Sequence, residues 1–157
     1  MDTSEIVSNS QGSLRIHPPL LAGGLLLGTL ILHSLFEYGD VRVHQLLGLL
    51  LVAVGALVCS FAAAIFQARD TTRKPWGEPS QFVVERPYTF TRNPMYVGVV
   101  AALLGFAIFF GSIVMLLAPV GLFVWLDRMV IPGEEGTMER MFGQRYVDYK
   151  TRVRRWL

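Results

Sequence analysis

The sequence has little cysteine and few charged residues. Its single cysteine, Cys59, excludes an intrachain disulfide, and its position inside an apolar stretch is typical of a small packing residue. Charged residues make up 17% of the chain and hydrophobic residues 52%, which is too apolar for an ordinary soluble domain. The three histidines, His17, His33 and His44, are scattered along the chain, so we expect no metal site.

Long uncharged stretches are the main feature of this sequence. They run from Pro18 to Phe36, from Leu46 to Ala68 and from Met95 to Leu126, and a helix of about 20 residues crosses about 30 Å of hydrocarbon. The third stretch is too long for one ordinary crossing, and Gly111-Ser112 near its middle favours a tight helical hairpin. A single tilted helix is the alternative, since glycine and proline are tolerated within membrane helices.

We therefore predict an all-α, polytopic membrane protein with about four transmembrane helices, the last two forming a short hairpin. A single domain, residues 1–157, is expected to contain helices at about 18–36, 44–68, 93–110 and 112–130, a cytoplasmic loop at 69–92 and a C-terminal cytoplasmic segment at 131–157. Five of the 14 Lys and Arg residues lie in the 69–92 loop and seven lie from Arg128 onward, whereas the loop between the first two helices contains only Arg42. The positive-inside bias therefore predicts that both termini are cytoplasmic.

A group of polar residues marks the predicted start of the third helix. Asn93 is a good N-cap and Pro94 suits the first helical position, which places Arg92 beside a helix N-terminus. Unpaired N–H groups there attract an anion, and the guanidinium adds a forked donor for a carboxylate or phosphate. Tyr96 and Gly98, in the first turns of this helix, would place an aromatic edge and a gap next to that anion site. The alternative is that Arg92 snorkels to lipid headgroups and Tyr96 belongs to the interfacial aromatic belt.

A second polar segment follows the last predicted membrane helix. Glu134 and Glu135 lie where that helix meets water, and two adjacent carboxylates beside anionic lipid are best explained by a cationic ligand unless they pair with nearby basic residues. An amphipathic interfacial helix with Trp156 as its anchor is predicted beyond them, because apolar and aromatic residues recur at steps of three and four: Met138, Phe142, Tyr146, Tyr149 and Val153. The two polar segments can face one cytoplasmic pocket, with donors for an anion on one wall and acceptors for a cation on the other.

The motifs "PYTFTRNPMYVG" (Pro87–Gly98) and "EEGTMERMFGQRYVDYKTRV" (Glu134–Val153), separated by an apolar hairpin, resemble the isoprenylcysteine carboxyl methyltransferase family and its relatives, the phospholipid methyltransferases. The resemblance covers roughly residues 71–156. It implies S-adenosylmethionine as the methyl donor, bound on the cytoplasmic side between the last two membrane helices, the preceding loop and the C-terminal helix. The cofactor-binding residues implied by motif position are Arg92, Asn93, Pro94, Met95, Tyr96, Gly98, Glu134 and Glu135, with Tyr88, Tyr146 and Tyr149 lining the adenosine or closing a lid.

Two positions depart from the family pattern. Arg86 stands before Pro87-Tyr88 where the family commonly has glycine, and Asn93 replaces the histidine of the eukaryotic prenylcysteine enzymes. Asparagine does not titrate near neutral pH, so a histidine-based proton role is not expected here. Arg92 is expected to orient an anionic group on the cofactor or substrate, and the rate of in-line methyl transfer is expected to come mainly from positioning in a pocket with little water.

The predicted function is carboxyl methylation of a lipid-like or prenylcysteine-like substrate that enters from the bilayer. Phospholipid-amine or thiol methylation is the alternative within this class, and a non-catalytic membrane scaffold with a basic lipid-binding face is the alternative from another class. We expect membrane lipids as partners, no nucleic acid, and an active site at the cytoplasmic face of an integral membrane protein. The oligomeric state is open, because glycines in the first two helices permit close packing within or between chains: Gly23, Gly24, Gly28, Gly48 and Gly55.

Overall fold

The computed structural model describes residues 17–36, 43–68, 82 and 84–157. These ranges form helices and turns, with one isolated β-bridge and no β-strand. The helices are α1 (Pro18–Phe36), α2 (Val43–Ala68), α3 (Pro94–Phe110), α4 (Leu117–Trp125), α5 (Ile131–Phe142) and α6 (Gln144–Arg152), with a 3₁₀ turn at Val114–Leu116 and a π turn at Leu126–Val130. The predicted all-α class is confirmed.

Three helical runs in the described part of the chain are long and apolar enough to cross a membrane: Pro18–Leu35, His44–Ile65 and Val114–Phe142. Helix α3 is also apolar but shorter, at 17 residues. Large aliphatic side chains on the outer faces of α1 and α2 are exposed, for example Leu20 and Leu46 at 71% and 74%. Such faces suit hydrocarbon rather than water, so the protein is an integral membrane protein.

The predicted hairpin between α3 and the fourth helical run is present. Gly111 adopts a left-handed conformation with φ 61°, which suits a residue without a Cβ atom. The N–H of Ser112 donates to the carbonyl of Ala107 at 3.1 Å, and the Ser112 hydroxyl accepts the N–H of Met115 at 3.3 Å. These bonds satisfy the end of α3 and the start of the next turn, so the chain reverses direction here rather than continuing as one tilted helix.

The fourth helical run continues past Val130 and carries the glutamate pair. Pro132 lacks an N–H and its ring would collide with the carbonyl of Arg128 in a regular α-helix. The chain forms its π turn at Leu126–Val130, which ends two positions before the proline, and such a widened turn accommodates the missing hydrogen bond. Glu134 and Glu135 therefore lie on α5, a helical extension of the last membrane run.

Helices α2 and α3 pack with their backbones in contact through two pairs of glycines, Gly48 and Gly55 on α2 and Gly98 and Gly105 on α3. A Cβ atom on Gly55 would lie 2.5 Å from the Gly98 carbonyl oxygen, and one on Gly105 would lie 2.7 Å from the backbone nitrogen of Val52. Each pair is spaced by seven residues, which places both glycines on one helix face. Gly48 and Gly55 thus serve packing within the chain.

The other side of α3 contacts α4, and α4 also packs against α1. The core between these helices contains fully buried aliphatic residues from the fourth helical run, Leu122, Leu126, Val130 and Ile131, joined by Ala22 of α1 and Leu103 of α3. This core extends from α4 to the first residue of α5. It therefore fixes α5, and the polar residues on it, relative to the start of α3.

Candidate functional site

The start of α3 is tied to residues 153–156, which we call the clasp. Three hydrogen bonds make this connection: Arg92 N to Arg154 O at 2.9 Å, Asn93 Nδ2 to Arg155 O at 2.9 Å, and Thr91 Oγ1 to Arg155 O at 3.0 Å. Asn93 occupies the N-cap position of α3, but its side chain makes no capping hydrogen bond. The expected side-chain cap is therefore wrong, because the amide group bonds to the clasp instead.

Glu135 lies at the centre of a group of positive charges. Arg92 Nη1 lies 2.9 Å from Glu135 Oε1, and only 12% and 9% of the two side chains are exposed. The Arg155 guanidinium donates two hydrogen bonds to the same carboxylate, at 3.2 and 2.8 Å, and Lys150 Nζ lies 3.9 Å away. The hydrogen bonds from Arg155 to Glu135 raise the pKa of Arg155. Glu135 is thus paired within the protein, and Arg92 does not snorkel to lipid headgroups.

Glu134 has different surroundings although it is the adjacent residue. The Tyr96 hydroxyl donates to Glu134 Oε1 at 2.7 Å, and no basic side chain in the described part of the chain pairs with this carboxylate. Consecutive residues on an α-helix point about 100° apart, so the two glutamates face different partners. Among the described residues, Glu134 therefore has a neutral hydrogen-bond donor and no cationic partner.

Arg92 keeps hydrogen-bonding capacity that the fold does not use. Its Nε is buried without a hydrogen-bond partner among the described residues, and its Nη1 makes the ion pair with Glu135 without an aligned hydrogen bond. Buried donors are normally satisfied, and an unsatisfied one costs about 1–3 kcal/mol. This arrangement is typical of a group that binds a ligand.

Three tyrosines close this region from the side of the loop and α6. The Tyr149 hydroxyl donates to the backbone carbonyl of Tyr88 at 2.6 Å, and the Tyr146 and Tyr149 rings lie 5.9 Å apart. Burial raises the pKa of Tyr146 to about 12 and also raises the pKa values of Tyr88 and Tyr149. All three side chains are therefore neutral phenols at physiological pH.

A cleft of about 490 Å³ lies beside the tyrosines. Phe82 forms its aromatic wall, stacking on Phe142 at 5.4 Å and meeting the edge of Tyr149 at 5.3 Å. The full lining is Phe82, Val84, Thr89, Arg145, Tyr149, Arg152 and Val153. Sequence reasoning missed the two arginines, although their spacing of seven residues places them on one face of α6.

Three residues expected at the site by motif position have packing roles in the fold. Pro94 is buried in the first turn of α3, and Met95 packs beside Tyr88. A Cβ atom on Gly98 would lie 2.6 Å from the Gly55 carbonyl oxygen. The expected gap at Gly98 is therefore filled by α2.

The clasp also binds the π turn. Asp127 Oδ1 accepts hydrogen bonds from Arg155 Nη1 at 3.1 Å and from Trp156 Nε1 at 3.0 Å. The Trp156 ring lies 4.6 Å from the ring of Phe123. This tryptophan therefore packs against the fourth helical run, whereas the sequence predicted that it anchors the segment at the membrane interface. Sequence reasoning missed Asp127, although a lone carboxylate at the end of an apolar run is itself a signal of a partner.

The amphipathic segment predicted after the last membrane helix forms two helices. Gly143, with φ 51°, separates α5 from α6. The predicted apolar side of this segment faces the protein at Tyr146 and Tyr149, which are 4% and 6% exposed. The segment thus contributes side chains to the site.

Comparison with known proteins gives one family. The model of the phospholipid methyltransferase family matches residues 43–145, which is more than half of the chain and includes α2, the hairpin, Arg92 and both glutamates. No curated protein and no solved structure matches the chain.

Proposed function

Because the chain belongs to the phospholipid methyltransferase family, and is therefore a membrane methyltransferase, we propose that it uses S-adenosylmethionine bound where α3, α5 and the clasp meet. Members of this family generally use that cofactor. The observation that carries the proposal is a contrast between adjacent residues: Glu134 has no cationic partner among the described residues, whereas Glu135 pairs with Arg92, a buried guanidinium that keeps donors without a hydrogen-bond partner. Family membership also sets aside the non-catalytic scaffold.

The residues present suit the charges of S-adenosylmethionine. Its methionine end carries an ammonium and a carboxylate, and its sulfonium carries a second positive charge. Glu134 would bind the positive end, and the unused donors of Arg92 would bind the carboxylate. The neutral phenols of Tyr88, Tyr146 and Tyr149 would line the adenosine, which carries no charge for an ionised side chain to pair with.

The protein's part in the reaction is binding, orientation and exclusion of water. When bound, S-adenosylmethionine supplies an activated methyl group, and the Glu134 and Arg92 side chains would orient it by its methionine end. Holding the acceptor in line with that methyl group removes much of the entropic barrier to transfer. Glu135 contributes indirectly, because it holds Arg92 at 2.9 Å.

We propose a lipid-like carboxylate as the acceptor. Arg145 and Arg152 line the cleft beside Tyr149, and neither pairs with a carboxylate in the described part of the chain. An anionic headgroup would complement them, and a carboxylate is already ionised at neutral pH, so it needs no base. Turnover should therefore favour amphiphilic carboxylates over amines in a matched panel, and methylation of the amines alone would refute this choice.

A phospholipid amine is the second candidate, and the family description favours it. An ammonium must lose a proton before it attacks. At cofactor concentrations that saturate the site over the whole pH range, an amine acceptor would thus give a rate that rises with pH near neutrality, whereas a carboxylate acceptor would give a flat profile. A pH series of turnover with each acceptor separates the two.

The cytoplasmic location of the site is also a proposal. It is supported by the basic residues that flank the site in the loop before α3 and from Arg128 onward. A cysteine introduced at exposed Gln144 of a Cys59→Ser variant should resist an impermeant thiol reagent in intact cells and react after lysis. Reaction in intact cells would reverse the assigned topology.

The cofactor proposal is tested by calorimetric titration of S-adenosylmethionine into detergent-purified protein with lipid added. Glu134→Gln should weaken binding by about 10- to 100-fold, since a charged hydrogen bond contributes about 1.5–3 kcal/mol. Asp148→Asn is the matched control, because this exposed carboxylate on α6 accepts a hydrogen bond from Gln144 of its own helix, and it should bind as the wild type does. Wild-type affinity in Glu134→Gln would refute the assigned role, and folded wild-type protein that binds no cofactor would refute the proposed site.

A further inference from the structure

Arg155 joins two carboxylates that come from different turns of the last helical run. Its Nη1 bonds to Asp127 in the π turn at 3.1 Å, and its Nε and Nη2 bond to Glu135 on α5 at 3.2 and 2.8 Å. The backbone carbonyl of the same residue accepts hydrogen bonds from Thr91 and Asn93 at the start of α3. One residue of the clasp thus connects the start of α3, the π turn and α5.

The π turn explains how both carboxylates reach one guanidinium. Asp127 and Glu135 are eight residues apart, and on a regular α-helix this spacing would place them about 80° apart around the axis. A π turn holds more residues per turn than an α turn, so the turn at Leu126–Val130 removes most of this offset. Pro132 therefore acts through local geometry to bring both side chains onto the face that meets the clasp.

The same contacts determine how Glu135 is oriented toward Arg92. Glu135 divides its interactions between Arg92, Arg155 and Lys150. If Arg155 were absent, the Glu135 carboxylate would be free to turn fully toward Arg92 and form aligned hydrogen bonds with it. The donors of Arg92 that now have no partner would then be used within the protein.

We propose that Arg155 is a positioning residue for the cofactor carboxylate: it holds Glu135 so that Arg92 keeps free donors for that group. This inference rests on the proposed function, since it assigns a ligand to Arg92. Arg155 itself does not contact the ligand in this scheme. Its effect should therefore depend on whether the ligand carries the carboxylate.

The test compares the binding of S-adenosylmethionine with that of its decarboxylated analogue. Arg155→Gln should weaken binding of S-adenosylmethionine about tenfold and change binding of the decarboxylated analogue less than about twofold. Arg155→Lys, which keeps the charge but loses the two-pronged contact, should recover part of the affinity. Arg140→Gln, an exposed arginine on α5 that bonds to Thr137, is the matched control and should bind both ligands normally. Equal losses for the two ligands would show a merely structural role and overturn the proposal, as would no loss for either.

A second measurement does not depend on the cofactor. In Arg155→Gln, peptides containing Arg92 should exchange amide hydrogens faster than in wild type, because the Arg92 N–H bonds to the clasp; Arg140→Gln should show no change. If the wild type binds no cofactor but exchange rises as expected, the proposed function fails while the clasp still holds the start of α3, and the assignment of a ligand to Arg92 is withdrawn. If exchange in Arg155→Gln matches wild type, the positioning role is wrong whatever the cofactor does.

Discussion

Gly98→Ala distinguishes two roles for a glycine that the family motif places at the cofactor site. If Gly98 leaves a gap for a ligand, an added methyl group should weaken cofactor binding in a normally stable protein. The structure instead places Gly98 against α2, where a Cβ atom would lie 2.6 Å from the Gly55 carbonyl oxygen and 2.8 and 2.9 Å from the backbone N and the Cβ of Cys59. We therefore expect the substitution to destabilise the fold.

The size of the effect follows from what these atoms can do. Two of the three neighbours are backbone atoms of a helix, so they cannot turn away as the end of a flexible side chain would. Helices α2 and α3 must separate by roughly 0.5–1 Å, which forfeits a quarter to a half of the dispersion energy at each contact affected. Overpacking of this kind typically costs about 1–3 kcal/mol, and each kcal/mol lowers the melting temperature of a protein of this size by roughly 2–4 °C.

The assay is thermal unfolding in detergent, with cofactor affinity measured on the same preparations below the melting temperature. Gly23→Ala on α1 is the matched control, because no described atom lies within 4 Å of the Cβ it would add, and it should melt no lower than wild type, since alanine is the better helix former. A Gly98→Ala protein with wild-type stability and lost cofactor affinity would refute the packing argument and return Gly98 to the binding site.

Two further predictions concern the segment after the last membrane helix. Pro132→Ala should let the π turn relax toward α-helical geometry and rotate Asp127 away from Arg155, so that S-adenosylmethionine binds several-fold more weakly by calorimetry in a protein that melts no lower; unchanged affinity would show that the proline does not set this geometry. Burial raises the pKa of Tyr146 from an ordinary 10 to about 12, so its contribution to stability is complete below pH 10 and is lost as the pH rises through about 12. Melting temperatures of wild type should therefore fall more steeply over that range than those of Tyr146→Phe, and equal slopes would contradict the buried phenol.

The helices themselves were predictable from the sequence. Hydrocarbon leaves no partner for backbone polar groups other than those within a helix, so an uncharged stretch of sufficient length specifies both its conformation and its approximate bounds. Helix α1 begins and ends at the predicted Pro18 and Phe36. The hairpin was predictable for a similar local reason, since a glycine in the left-handed conformation is the usual way for a helix to end.

The contacts that build the site were not predictable, because they join residues far apart in sequence through the geometry of whole helices. Arg92 and Glu135 were expected on opposite walls of a pocket, whereas the structure pairs them at 2.9 Å. No sequence pattern reveals that pairing, which depends on how the hairpin, the π turn and Pro132 rotate α5. The packing role of Gly98 was not predictable for a related reason: its motif indicates the cofactor site, but the residues nearest to its added Cβ belong to α2.

The different partners of the two glutamates show why a site for a zwitterion needs residues that do not contact the ligand but hold the residues that do. An arginine placed directly opposite two free carboxylates would be neutralised by them and would not attract an anion. Here one carboxylate, Glu135, is shared with Arg155 and Lys150, while Glu134 bonds to a neutral phenol and has no cationic partner among the described residues. Adjacent glutamates can therefore serve different roles, and the residue that holds Glu135 in its role, Arg155, lies outside both sequence motifs that indicated the site.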